Sequence, residues 1–143
     1  MLNNTLRIPS AVVALMLATQ PAFALTTAAC PNESFEKFVT RFSHEIAVQE
    51  KSTARTVIFE ELDTDAQPEP KKTSKKVPLS MVEWPVMPDM TFLKDRNLQS
   101  EFKNLANGNK QVVLRGTDDG AYMEFEFRQQ PCWTLIRVSD QSM

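Results

Sequence analysis

Hydrophobic and polar residues alternate most cleanly near the end of the chain. Between Ala121 and Gln129, Met123, Phe125 and Phe127 fall on one side of an extended backbone, and Tyr122, Glu124, Glu126 and Arg128 on the other. Runs rich in β-branched and aromatic residues flank this stretch at Lys110–Thr117 and Cys132–Ser139. Asp119-Gly120 accepts the positive φ of a tight hairpin turn. Pro131 has no amide proton to give a ladder, so the middle strand stops before it. The pattern predicts a three-strand antiparallel meander with one buried face.

A different period governs the first half. Phe35, Phe38, Val39, Phe42 and Ile46 lie on one stripe of an α-helix, with Asn32 or Ser34 as N-cap and helical character expected to about Thr53. Such a helix next to a half-buried sheet covers the sheet's apolar face. Arg55–Leu62 reads as a strand with Val57, Phe59 and Glu61 on one face. Asp63–Lys76 has Ala66 as its one apolar residue and contains Pro68 and Pro70, so it is expected to be the loop of a long hairpin, with Val77–Trp84 as the returning strand. Trp84-Pro85-Val86-Met87-Pro88 is an apolar, extended connection, and a short helix is expected near Leu98–Asn107, ended by Gly108. The fold class is therefore α+β, an N-terminal helix packed on an antiparallel sheet.

The first 24 residues belong to another pattern. Arg7, the apolar run Ala11–Ala18 and the small-x-small site Ala22-Phe23-Ala24 predict a signal peptide over residues 1–24, and the apolar run is far shorter than the ~20 residues a spanning helix needs. A single domain, 25–143, is then expected in the periplasm or outside the cell. Removing Arg7 leaves a net charge of −3, which excludes nucleic acid as a natural partner because phosphate binding needs a basic surface. No second apolar run is long enough to span a bilayer. Cys30 and Cys132 make an even pair in an exported chain, so a structural disulfide is expected, worth on the order of 4–5 kcal/mol in the chain-entropy model.

Phe35, Phe38 and Phe42, then Val48-Gln49, Arg55 and Trp84, then Gly120, Phe125 and Phe127, and finally Trp133, Leu135, Asp140 and Ser142 together resemble a group of small exported bacterial domains of unknown function, similar to the nuclear transport factor 2-like (cystatin-like) superfamily. The chain departs from that group where Phe59-Glu60 stands in place of Phe-Pro. The resemblance implies a curved antiparallel sheet wrapped round a helix, enclosing a conical cavity that serves ligands, catalysis or partners. Fold does not choose among these uses.

The chemistry-bearing residues are sparse. One histidine, His44, sits beside the apolar stripe and reads as a partly exposed bystander. One histidine and two paired cysteines leave no zinc set of the usual kind, and Asp118-Asp119 falls far short of the six to eight oxygens that calcium takes. Three glycines form no phosphate loop, and no cofactor is expected. Tyr122, the one tyrosine, has the parity of the outer sheet face, which leaves a carboxylate-and-tyrosine isomerase without its electrophile.

These residues point to an exported, non-enzymatic binding module. Either a small apolar ligand sits in the cone, with Trp84 and Met87 as contacts, or a protein docks on the outer face at Tyr122 and Glu124; that face also suits a homodimer. The alternative is an inhibitor or immunity-type protein acting through the charged hairpin tip 63–76, whose Asp63 and Asp65 precede and Lys71 and Lys72 follow the loop. An intact-mass measurement on the exported protein checks the leader and the bridge together. Cleavage after Ala24 and a loss of two hydrogens are expected.

Overall fold

Ser34 opens the first helix, its hydroxyl accepting the amide of Lys37 at 3.3 Å. The computed structural model describes residues 29–143, so the predicted leader lies outside the described residues. Helix α1 (Phe35–His44) buries Phe35, Phe38, Val39 and Phe42 on one stripe. Continuous helix does not reach Thr53. Glu45 is extended (φ −110°, ψ 110°), and a separate short helix α2 (Ile46–Lys51) follows it. The break turns Ile46 out of the stripe, leaving it 42% exposed, and turns Gln49 fully inward.

Six strands form one sheet in the order β2-β1-β6-β5-β4-β3. They are β1 (Thr53–Asp63), β2 (Lys71–Pro78), β3 (Leu98–Asn104), β4 (Lys110–Gly116), β5 (Tyr122–Gln129) and β6 (Trp133–Asp140). The expected meander is β4-β5-β6, with Gly120 at φ +70° in its first turn. Every pairing is antiparallel except β1 with β6, which is parallel and makes the sheet mixed. That pairing follows from where the chain enters. The amide of Leu135 donates to Ser52 O at 2.8 Å, so β1 and β6 start at the same end and run the same way. The Cys30–Cys132 disulfide, with its Cα atoms 5.4 Å apart, ties the segment before α1 to that end of the sheet.

Two further expectations are corrected. Leu98–Asn104 is the edge strand β3, not a helix. Leu98 and Phe102 are four residues apart, a spacing that puts two side chains on one face of either a helix or a strand; pairing Phe102 with Val112 decides it. The return arm of the hairpin is Lys71–Pro78, within and just beyond the stretch read as loop. Its backbone pairs with β1 from Asp63↔Lys71 to Thr56↔Pro78, and an edge strand wet on both faces needs no apolar side chains to do so. After Pro78 the chain turns through a 3-10 segment, Leu79–Met81.

Helix and sheet meet through aromatic rings. Phe127 of β5 packs edge-on to Phe35, Phe38 and Phe42, at centroid distances of 5.6, 5.6 and 5.1 Å. Trp133 and Phe102 close round Phe35 at 4.8 and 6.0 Å. Phe127→Ala is expected to cost about 3–5 kcal/mol by removing the ring all three helix phenylalanines touch. Phe92→Ala, at a phenylalanine 52% exposed, should stay within about 0.5 kcal/mol. Urea denaturation of the two variants checks the contrast, and equal losses would contradict it.

Candidate functional site

Because α1 packs around Phe127, it covers one end of the inner sheet face and leaves the other to the connection between β2 and β3. Register places the residues there in two rows. Lys75, Phe59, Val138 and Phe125 lie side by side across β2, β1, β6 and β5. One step further out lie Thr73, Glu61, Asp140 and Met123. Facing them are Met81, Val82, Glu83, Pro85 and Val86 of the connection, and the space between is a groove of 640 Å³. That size suits a small-molecule site. Met81 is 70% exposed at its lip. Glu60 borders the groove, but its carboxylate turns to Lys72 and Arg137, at 2.9 and 3.0 Å.

Gln49 holds the connection in place. This buried amide accepts the amides of Val86 and Met87 at 2.8 and 3.4 Å and donates to Ser43 O at 3.3 Å. Ser43 Oγ in turn accepts the amide of Met90 at 3.0 Å. The amides of Val86, Met87 and Met90 are thus pinned to the helix break, which fixes the groove wall at its Val86 end. A buried glutamine with every polar atom partnered is a positioning residue. In the sequence, Val48-Gln49 is marked by the family resemblance alone, and its neighbours Val48 and Glu50 give no sign of this role.

Of the two residues read as ligand contacts, Met87 is fully buried in the core and Trp84 is half-buried against it. Neither lines the groove. The two neighbours divide: Met87 is buried in the core, and Val86 lines the groove. A second recess, of 180 Å³, lies beside the disulfide between Phe38, Arg41, Val48, Lys51 and Trp133.

The residues read as partner contacts fall in two places. Asp63, Asp65 and Lys71 stay at the hairpin tip, where the amide of Asp65 donates to Asp63 Oδ1 at 3.1 Å and Asp63 stands opposite Lys71. Lys72, Tyr122 and Glu124 belong to one network on the outer face. Arg137 at its centre meets Glu60 at 3.0 Å, Glu126 at 2.8 Å and Glu124 at 3.9 Å. Lys72 extends it through Glu60, and the hydroxyl of Tyr122 donates to Glu124 at 2.8 Å. Burial pushes the Glu126 carboxyl up, but the Asn109 amide and Arg137 outweigh it and hold it below the usual range. The Glu124 hydrogen bond raises the Tyr122 hydroxyl above its ordinary value.

His44 is exposed on α1 and pairs through Nδ1 with Asp89 Oδ2 at 2.7 Å. It is not among the groove-lining residues. Among the described residues no group of three or more His, Cys, Asp or Glu side chains is arranged to hold a metal ion.

Helices packed on one end of a six-strand mixed sheet, with an open groove at the other, define an α+β fold. A nuclear transport factor 2-like protein from Bacteroides fragilis, known from a crystal structure, has the same fold: the match covers 78% of this chain at a TM-score of 0.54 and 20% identity. The chain spans about half of that protein, 48% of its length. No family model matches the sequence, and neither does any curated protein.

The His44–Asp89 contact has a defined pH response. Hydrogen bonding and charge from Asp89 raise the imidazole above 6.5, while the Thr91 hydroxyl, then His44, lower Asp89 to about 2. The raised histidine stabilises the fold fully below its unfolded pKa, and that contribution fades as pH rises through its folded pKa. Asp89 contributes above its unfolded pKa, and that share is lost as pH falls towards 2. The tie between α1 and residues 89–91 is therefore strongest in mildly acidic solution. With one histidine in the chain, an NMR titration reads it directly. A midpoint above 6.5 that falls back in Asp89→Asn is expected.

Proposed function

We propose that the protein is an exported, non-enzymatic binding module that retains a small, largely apolar ligand in the groove between the inner sheet face and residues 81–86. The observation that carries this reading is the preformed 640 Å³ groove, walled by Phe59, Val77, Val82, Val86, Met123 and Val138. A wall pinned by Gln49 binds without the ordering cost that a collapsing loop would add. Two methionines at its surface, Met81 and Met123, adapt to irregular ligand shapes. Export is supported by the Cys30–Cys132 bridge, a feature of oxidising compartments, and by the leader pattern.

The inhibitor reading through the hairpin tip has less support. Charges on the two arms of the hairpin face each other across the strands, Glu60 with Lys72 at 2.9 Å and Glu61 with Lys75 at 3.1 Å. The exposed Glu61–Lys75 pair is worth under about 1 kcal/mol, and the two pairings leave little net charge on the arms for a partner.

The neutral fluorophore N-phenyl-1-naphthylamine tests the groove. It should bind with one-to-one stoichiometry. Val77→Trp, which fills the groove from the wet edge strand, should weaken binding about tenfold, or ~1.4 kcal/mol, with the melting temperature unchanged. Unchanged affinity in a folded Val77→Trp protein would remove the groove as the site.

A further inference from the structure

We propose that the groove selects amphiphiles with a cationic head, of the alkylammonium kind, over neutral or anionic ones; the inference rests on the groove being the ligand site. The groove is graded in polarity. Its inner row is apolar at Phe59, Val138 and Phe125, with Lys75 at the β2 edge, and Val82 and Val86 face it. Its outer row carries Glu61 and Asp140 next to each other on the parallel strands, with Glu83 on the opposite wall. An occupant lying along the gradient has an apolar body against the valines and phenylalanines and its head among carboxylates.

The charges decide the sign of that head. One basic residue, Lys75, lines the groove, and Glu61 neutralises it at 3.1 Å. Glu60 is committed to Lys72 and Arg137 on the outer face. Glu83 and Asp140 have no cationic partner among the described residues, and Asp140 is held by one oxygen, Oδ1, which accepts the amide of Ser142 at 3.0 Å. An ammonium placed between the two walls supplies the counter-charge they lack, whereas a carboxylate or phosphate head would meet two uncompensated negative charges at short range. Trimethylated ammonium suits the site better than a primary amine, because its methyl groups continue the contact with Met81 and Met123 at the lip.

Isothermal titration of the full mature protein with octyltrimethylammonium, 1-octanol and octanoate, at low and at 0.5 M salt, tests this. The cation is expected to bind about tenfold more tightly than octanoate at low salt, a gap of ~1.4 kcal/mol that narrows as salt screens the exposed carboxylates. The Glu83→Gln/Asp140→Asn double variant should lose that preference while keeping its affinity for 1-octanol; Asn retains the oxygen that accepts the Ser142 amide. Three probes binding alike, or octanoate binding best, would overturn the head-group preference and leave the groove as an apolar site. If none binds, and N-phenyl-1-naphthylamine does not bind either, the groove reading itself fails. A preference that survives in the double variant would place its origin outside Glu83 and Asp140 and overturn the assignment.

Discussion

The fold turns on one ring. Phe127, fully buried in the middle of the sheet, is touched by all three phenylalanines of α1, so the position of the helix over the sheet is set where β5 carries that residue. Aromatic rings meeting edge to face in a dry core contribute about 0.5–1.5 kcal/mol each beyond the area they bury. The consequence for function is geometric. A helix of 10 residues fixed over Phe127 and Trp133 cannot also reach Phe59, Met123 and Asp140, and the exposed end of the inner face has to be covered by something else.

What covers it is an irregular connection, and irregular backbone near a core needs hydrogen-bond partners that no ladder supplies. Gln49 and Ser43 provide them. Both come from the point where the helix breaks at Glu45, so the break is what brings a fully buried amide to Val86 and Met87. Helix break, buried amide and groove wall are one device. Its cover is partial, and the groove is the part left open.

The regular parts of this architecture were legible from periodicity. Strict alternation in β5 assigned Met123, Phe125 and Phe127 to the inner face, and the helical stripe assigned Phe35, Phe38, Val39 and Phe42 to the core. The failures have separate physical causes. Leu98 and Phe102 share a spacing common to helix and strand, and β2 is an edge strand whose lysines carry no apolar signal at all. Ile46 leaves the stripe for a related reason: a single non-helical residue at Glu45 turns it outward, and a glutamine 38 residues away holds the Met87 amide. Long-range polar contacts of that kind leave no period. The groove residues Glu61, Glu83 and Asp140 were unreadable as a set for the same reason, since the parallel β1–β6 pairing alone brings the first and last together.

The outer face shows a different use of charge. Arg137 gathers Glu60, Glu124 and Glu126, and Lys72 and Tyr122 complete a network that satisfies itself. Inside the groove the balance is left open, with acids outnumbering bases along the lining. The same sheet thus presents a charge-compensated back and an uncompensated front, and the proposed ligand sits at the front. The most direct measurement of that claim is a native mass spectrum of the protein isolated gently from its own host. A stoichiometric small-molecule adduct is expected, absent when Val77→Trp is isolated in the same way. A bare chain, or a stoichiometric second polypeptide in place of the adduct, would contradict it.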